Sequence, residues 1–558
     1  MKSKFSMGID FGSNSARALI VDVNSGQEIG CGASEYAGGD KGVYTDKANS
    51  HLARQCPDAY LKSLSTAVKE AVAKASEKKG FSAENINGIG IDTTGSTPIP
   101  VNNRMEPLAG LREFRDNLNA KAWMWKDHTS MEEAEKITAL ASKIRPRYLK
   151  KCGGVYSSEW FFSKIWHCLN VDKKVFNAAY SWVEFCDFIP AVLCGIKDPL
   201  KIRRGICAAG HKAMYSREWK GLPDAGFLGK LDRRMAELLP RLYKETYTAD
   251  TVAGKLSAEW AEKLGFREGI PVAVGSFDAH LGAVGAGVGK GELVKIIGTS
   301  SCDITVSPDN VKVPDIPGVC GIVDGSVMPG YYGIEAGQSA VGDILNWFVS
   351  GLCRSSHSAF SQLTEEASKM RPGESGLLGL DWNNGNRCVL VDPKLTGMLL
   401  GMTLHSSQSE IYRALIEATA FGAKKITDRL EEYGIHTKEI ICCGGIAEKN
   451  QLFMQIYADV LNKKMKVSAS AQTCALGSAI FGAVVAGDFK NVETAQKKFC
   501  SFKKKVYIPI KKNNAVYNKL YALYSELHDS FGTQNKKTGH YGIMKKLLEI
   551  SAEAKAGK

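Results

Sequence analysis

Residues 8–22 read GIDFGSNSARALIVD, and this stretch decides the fold. An apolar strand over Met7–Ile9 runs into a polar turn, Asp10–Ser15, and a second strand leaves over Arg17–Val23. Gly12 lets the backbone reverse sharply. Ser13, Asn14 and Ser15 supply hydroxyls, an amide and a run of backbone N–H groups, which together can cradle an anion, above all a phosphate. Asp10 ends the strand, where a carboxylate can hold Mg²⁺ through water. Arg17 adds a fixed positive charge. Taken alone, the turn is better read as an ordinary β-hairpin.

A second copy reverses that preference. Leu293–Val306 reads LVKIIGTSSCDITV: an apolar strand, the small polar turn Gly298-Thr299-Ser300-Ser301, and another apolar strand. Two such turns facing across a cleft would hold one nucleotide's phosphates from both sides. That plan is similar to the actin and hexokinase superfamily, an α/β architecture of two ribonuclease-H-like domains flanking an ATP and substrate cleft. Neither turn is a Walker A loop. The nearest decoy, GAVGAGVGKGE at Gly282–Glu292, lacks the spacing and has Gly291 where the hydroxyl belongs.

The chain has 558 residues, enough for two large domains, and its 44% hydrophobic and 23% charged content is that of a globular protein. The net charge of +13 is scattered; the densest clusters, Lys503–Lys505 and Lys511–Lys512, read as solvated faces. No basic motif interleaved with aromatics points to nucleic acid. The 15 Cys form no CxxC pair or Cys/His zinc spacing, and as unpaired thiols they indicate a reducing cytoplasm. No signal peptide precedes the first strand, and no run suits a bilayer. A homodimer is left open.

Helical periodicity marks Pro57–Ala75, with Tyr60, Leu64, Ala67, Val68 and Ala71 on one face. A buried strand, Ile86–Ile91, then leads into DTTGSTP. A Trp- and Cys-rich region over 123–214 elaborates the first domain. We expect the domains to divide at 268/269, with the strand Pro271–Gly275 opening the second. Ala475–Gly487, rich in small residues, fits a tightly packed helix. An amphipathic tail helix begins near Asn513 with Val516, Leu520, Leu523 and Leu527 inward, and the last ten residues fray.

Asp278 ends the apolar strand PVAVGSF, where it can serve as general base to a sugar hydroxyl or cap the following helix. Glu335, after Gly330–Ile334, can accept hydrogen bonds from a polyol or be a solvated loop residue. Lys212 in AGHK and Asp127 in WKDHT carry the same two readings, with surface charge the commoner one. His211 and His280 read as structural, and no side-chain metal site is evident. Gly444 and Gly445 follow the strand Ile440–Cys443 and permit close approach by a flat or phosphorylated ligand. Asn450, at the start of the next helix, can reach a nucleotide or cap the helix.

In chain order, GIDFGSNSAR, GIDTTGSTP, WKDHT, GSFDAHLGAVGAG, KIIGTSSCD, EAGQSA and CCGGIAEKN resemble the FGGY family of carbohydrate kinases over nearly the whole length. Gly397–Phe421, with Gly397-x-Leu399-x-Gly401-Met402 and a helix reaching Glu417, fits the family's C-terminal signature; Tyr156–Trp166 fits the earlier signature only loosely. Within the family, TTGSTP, GGVYSSEWFFSKI, RRGICAAGHK and IEAGQSAVGDI are similar to members acting on L-ribulose. The resemblance implies ATP-dependent phosphorylation of the terminal 5-hydroxyl of that sugar, with Mg²⁺, in arabinose catabolism. It implies Asp278 as base, Asp10 for Mg²⁺, and Ser13, Asn14, Arg17, Gly298 and Thr299 on phosphates. It further implies Gly337, Gly444, Gly445 and Asn450 along the nucleotide, and Gly95, Ser96, Lys212 and Glu335 on the sugar. Lys449 stands where some members have Asn beside the adenine. Alternatives are another pentulose or a pentitol (D-ribulose, xylulose, ribitol) or a nonenzymatic sugar sensor.

Overall fold

The computed structural model describes residues 3–356, 358–534, 540–542, 544–546 and 548–549. The decisive stretch is a hairpin: strand Phe5–Phe11 pairs antiparallel with Ser15–Asp22, and Asp10 lies inside the first strand, opposite Arg17. Only Gly12, Ser13 and Asn14 form the turn, closed by the Gly12 N–H donating to the Ser15 carbonyl at 3.0 Å. The hairpin continues antiparallel to Glu28–Glu35 on one side and parallel to Ile86–Thr93 on the other. Pro271–Ala273 and the edge strand Val252–Lys255 complete that sheet, with Ser276–Phe277 also pairing along Ile86–Thr93.

The second sheet repeats this order. Glu292–Ile297 pairs antiparallel with Ser301–Pro308, which pairs antiparallel with Tyr331–Gln338. On its other side Glu292–Ile297 runs parallel to Glu439–Cys443, and then come Lys464–Ser468 and the antiparallel edge Phe502–Tyr507. Gly321–Asp324 adds an edge strand beyond Tyr331–Gln338. Each sheet is thus a three-strand antiparallel meander followed by parallel strands and an antiparallel edge. The strands Pro271–Ala273 and Ser276–Phe277 belong to the first sheet, so the division expected at 268/269 falls within that sheet. Periodicity places the strands correctly here but carries no information on which sheet receives them.

Helix Pro57–Ser76 covers the first sheet with the expected face, Tyr60, Leu64, Ala67, Val68 and Ala71 all being buried. The aromatic-rich segment packs as a core of its own around Trp123, Trp160, Phe162 and Trp182. Helix Thr473–Val485, from the far end of the chain, lies against the opening strands and against helix Asp278–Gly285. Glycines make that approach tolerable: a Cβ on Gly8 would stand 1.7 Å from the Ala475 carbonyl oxygen, and one on Gly90 1.8 Å from that of Ser478. The predicted small-residue helix therefore wedges between the halves rather than packing within one.

The tail helix spans Lys511–Gly532, but its buried stripe is Tyr517, Tyr524 and His528, and Leu523 is exposed. Aromatic hydroxyls explain the shift: Tyr517 donates to Glu417 at 2.9 Å and Tyr524 to Asp381 at 2.8 Å. Of the last ten residues all but Glu549 lie outside the described ones. Among the described residues no helix is long and apolar enough to cross a membrane.

Candidate functional site

A cavity of about 260 Å³ opens where the two sheets meet. Eight of the anticipated residues line it: Ser13, Gly95, Ser96, Lys212, Asp278, Gly298, Thr299 and Glu335. They come from the first turn, the loop after Ile86–Thr93, the helix Ile206–Lys212, the start of helix Asp278–Gly285, the second turn and the strand Tyr331–Gln338.

The most heavily charged wall is built on Glu335. Far from being a solvated loop residue, it sits in mid-strand and is 3% exposed. Lys212 Nζ donates to both its oxygens at 3.1 and 3.2 Å, and Arg387 Nη2 donates to Oε1 at 2.6 Å. Burial alone would push this carboxyl up; Lys212 and then Arg387 outweigh it and hold the group well below the usual carboxylate range. Lys212, also buried, lies 5.3 Å from the centre of the Trp160 ring. Arg387 escaped the sequence reading because its loop follows no periodic pattern and only tertiary structure brings it to Glu335.

His211 and His280 pack beside Glu335, His280 itself lining the cavity, with their Nε2 atoms 3.1 Å apart. Cys207 joins them in a compact buried group, but the two imidazoles hydrogen-bond each other and burial keeps both neutral.

Across the cavity is a carboxylate group. Asp278 is the first residue of its helix, is partly open to the cavity and accepts the Ala279 N–H at 2.7 Å. Burial, and after it the Asp10 carboxylate, pushes its pKa up to about 7. Asp10 is itself buried and accepts from Arg17 Nη1 at 2.9 Å. Its neighbour in register on the parallel strand is Asp92, which the sequence reading passed over. The signal was present: both strands read Gly-Ile-Asp, at 8–10 and 90–92, and pair in register. Asp92 accepts from Ser478 at 2.6 Å, its Oδ1 has no hydrogen-bond partner among the described residues, and burial with Asp10 holds its carboxyl well above the usual range.

Ser96 borders the cavity with its polar side-chain and carbonyl groups already engaged. Its hydroxyl donates to Glu184 at 2.6 Å, and its carbonyl accepts from the buried Lys164 ammonium at 2.8 Å. Gly95 has no room for a side chain, since a Cβ would fall 2.8 Å from the Phe277 ring. Ser13 accepts from the Trp125 indole at 3.0 Å, so the aromatic segment buttresses the first turn. In the second turn the Thr299 carbonyl accepts the Val341 and Asp343 N–H groups, tying it to the helix at Gly342.

The remaining anticipated residues do not line this cavity. Gly12 and Asn14 complete the first turn, and the Asn14 amide donates to the Lys41 carbonyl. Ser15 and Arg17 sit in the second strand. Asp127 is fully buried, ion-paired with Arg54 and accepting from Ala53 and Thr129, which makes it a scaffold group rather than a surface charge. Gly337 is packed in its strand, where a Cβ would lie 2.2 Å from the Ser301 carbonyl oxygen. Gly444 has φ +99 and a Cβ there would meet the Ile297 carbonyl oxygen at 2.2 Å, whereas Gly445 faces open space at the start of the short helix Gly445–Lys449. Asn450 caps the helix Gln451–Leu461 through the Phe453 N–H at 2.9 Å, and its amide turns to Tyr412.

Known proteins share this architecture. The N-terminal domain of the FGGY family of carbohydrate kinases matches residues 5–285, and the C-terminal domain of the same family matches residues 293–486. A ribulokinase from Vibrio parahaemolyticus is 42% identical over 541 residues, covering 93% of this chain and 95% of that protein. A ribulokinase from Halalkalibacterium halodurans is 40% identical, covering 99% and 98%. Among solved structures, a xylulose kinase from Rhodospirillum rubrum superimposes with a TM-score of 0.78 at 19% identity, over 95% of this chain and 99% of that one. A glycerol kinase from Plasmodium falciparum, solved with ADP, does so at 0.75 and 16% identity, over 94% and 98%. At these identities the structures share the fold.

Proposed function

The chain belongs to the FGGY family of carbohydrate kinases, ATP-dependent sugar kinases, and on that premise we propose that it phosphorylates L-ribulose on the terminal 5-hydroxyl, yielding L-ribulose 5-phosphate and ADP in arabinose catabolism. The choice of sugar is supported by the name its relatives carry. The reaction class is carried by one observation: a single cavity joins Asp278, both turns and a carboxylate, Glu335, kept anionic by two cations.

Each wall has a task in this reading. Glu335 accepts hydrogen bonds from sugar hydroxyls, Lys212 and Arg387 fix its orientation, and the Gly95–Ser96 backbone borders the sugar. Ser13, Asn14, Ser15, Gly298 and Thr299 hold phosphates, with Gly12 shaping the turn and Gly444, Gly445, Gly337 and Asn450 shaping the nucleotide side. Asp127 acts through the scaffold beneath Trp125 and not by touching the sugar. With the sugar's 5-hydroxyl against Asp278, its oxygen forms the new bond to the γ-phosphorus as the bond from that phosphorus to the ADP oxygen breaks, and Asp278 takes the proton. A base with a pKa near 7 is half ionised at neutral pH and strong enough to receive that proton.

Asp10 and Asp92 fit a hard divalent cation. Two carboxylates lie side by side, one with an unpartnered buried oxygen, and burial keeps the nearby Cys474 thiol protonated and out of such a role. Mg²⁺ held there, through water from Asp10, would neutralise phosphate charge. Domain closure over the sugar excludes water and so suppresses ATP hydrolysis. We also place the protein in the cytoplasm, since all 15 cysteines are free thiols, and expect a homodimer to be the assembly tested first.

The test is ADP release from ATP·Mg²⁺ without sugar and with L-ribulose, D-ribulose, D-xylulose, ribitol and glycerol. Strong release with L-ribulose and little without sugar is expected. Release with another polyol alone would move the substrate. ATP binding without sugar-dependent release would favour a sensor.

A further inference from the structure

Behind the Glu335 wall lie two buried thiols that the proposed chemistry does not use. Cys320 and Cys388 are 7% and 4% exposed, and their sulfurs are 3.0 Å apart. They are 68 residues apart in sequence and neither lines the cavity. Each adjoins a partner of Glu335. Cys320 precedes Gly321, which pairs in register with Glu335 across the edge of the second sheet. Cys388 follows Arg387, whose guanidinium holds Glu335 Oε1 at 2.6 Å.

We propose that Cys320 and Cys388 form a redox-modification site, in which a hydroperoxide closes them into a disulfide that displaces Arg387 from Glu335 and lowers phosphoryl transfer. The coupling to activity rests on the proposed role of Glu335; the disulfide itself does not. A disulfide needs sulfurs about 2.05 Å apart, so closure draws Cys388 toward the strand Gly321–Asp324. Arg387 is the residue before Cys388, so that movement is passed directly to the residue whose guanidinium holds Glu335 at 2.6 Å.

The chemistry balances. The Cys320 thiolate attacks one oxygen of hydrogen peroxide, the O–O bond breaks, and a sulfenic acid and hydroxide result, the hydroxide taking the proton the thiol gave up to become the first water. The Cys388 sulfur then attacks the sulfenic sulfur, the S–S bond forms and the second water leaves with the remaining proton. Two electrons pass from the thiols to the peroxide. The environment favours Cys320 as the attacking group: the hydrogen bond from Cys388, and then Arg387, bring its pKa down to about 7 against the effect of burial, while Cys388 is held well above the usual thiol value. Oxidation also removes from beside Arg387 a sulfur able to carry negative charge.

The experiment treats the full-length protein with hydrogen peroxide, maps disulfides by mass spectrometry without reduction, and measures sugar-dependent ADP release before and after dithiothreitol. The expected result is a Cys320–Cys388 cross-linked peptide pair about 2 Da lighter than the separate thiol peptides, a roughly tenfold loss of rate, and recovery on reduction. Cys320→Ser should keep its rate under peroxide, and Cys320→Ala provides the same comparison if the serine variant misfolds. No cross-link between these two residues, a cross-link with unchanged rate, or equal loss in the Cys320 variants would each overturn the proposal. The mass measurement needs no sugar, so a failed disulfide is distinguished from a wrong substrate.

Discussion

Replacing Lys212 with Met is the most informative single change in the Glu335 wall. The substitution keeps most of the apolar body of the side chain beside Trp160 and removes the ammonium, its charge together with its hydrogen bonds to Glu335. At the observed 3.1 Å and an effective dielectric of about 20, the lost attraction between unit charges is about 5 kcal/mol. Breaking a buried ion pair from one side costs about 3–5 kcal/mol. Arg387 still holds Glu335, which places the expected loss at the low end, about 3 kcal/mol, or roughly a hundredfold in kcat/KM for the sugar. The sign with pH follows as well. Glu335 has a depressed folded-state pKa, so its contribution to stability is complete above the ordinary Glu value and lost as pH falls through the depressed one. Without Lys212 that loss begins at higher pH. The assay is ADP release across a sugar titration, with thermal melts at neutral and acid pH. A variant with kcat/KM within about threefold of wild type and an unchanged acid melt would refute the reasoning, because Glu335 would then not depend on Lys212.

Three further outcomes are expected. The kcat/KM profile should show an acid limb near pH 7 from Asp278, absent from the residual activity of Asp278→Asn; the same limb retained in that variant would assign it to another group. Lys164→Met deprives the Ser96 and Met124 carbonyls of a buried donor, and should raise KM for the sugar roughly tenfold with a smaller change in kcat. Gly90→Ala forces the helix Thr473–Val485 off the opening strands and should cost about 3 kcal/mol or more, read as a clear drop in melting temperature.

How much of this was legible in sequence depended on whether the signal was local. The two turns were readable because Gly12-Ser13-Asn14 and Gly298-Thr299-Ser300 carry their geometry in adjacent residues. Asp278, Lys212 and Glu335 stand out in sequence by their place beside strands and small-residue turns, and the structure brings all three to one cavity, while local context misjudges the burial of two of them: a charge beside small residues reads as exposed until its partners arrive from elsewhere. Arg387 comes to Glu335 from 52 residues away, and nothing in its own loop announces it. Asp127 was read as surface or sugar-binding because Arg54, its buried partner, lies 73 residues earlier. Asn450 met its simpler reading, a helix cap, and the tail helix turned its tyrosines inward because their hydroxyls reach carboxylates that leucines could not satisfy. The sheet membership of Pro271–Phe277 was a matter of topology, which strand periodicity does not encode.

The central claim is that Asp278 receives the proton of the sugar hydroxyl during phosphoryl transfer. Its most direct test is the rate of ADP release by Asp278→Asn at saturating ATP·Mg²⁺ and L-ribulose, with ATP binding measured in parallel. The account predicts a turnover about 10²–10⁴-fold below wild type with ATP binding retained. Near-normal turnover would contradict it and leave Asp278 as no more than the first residue of its helix.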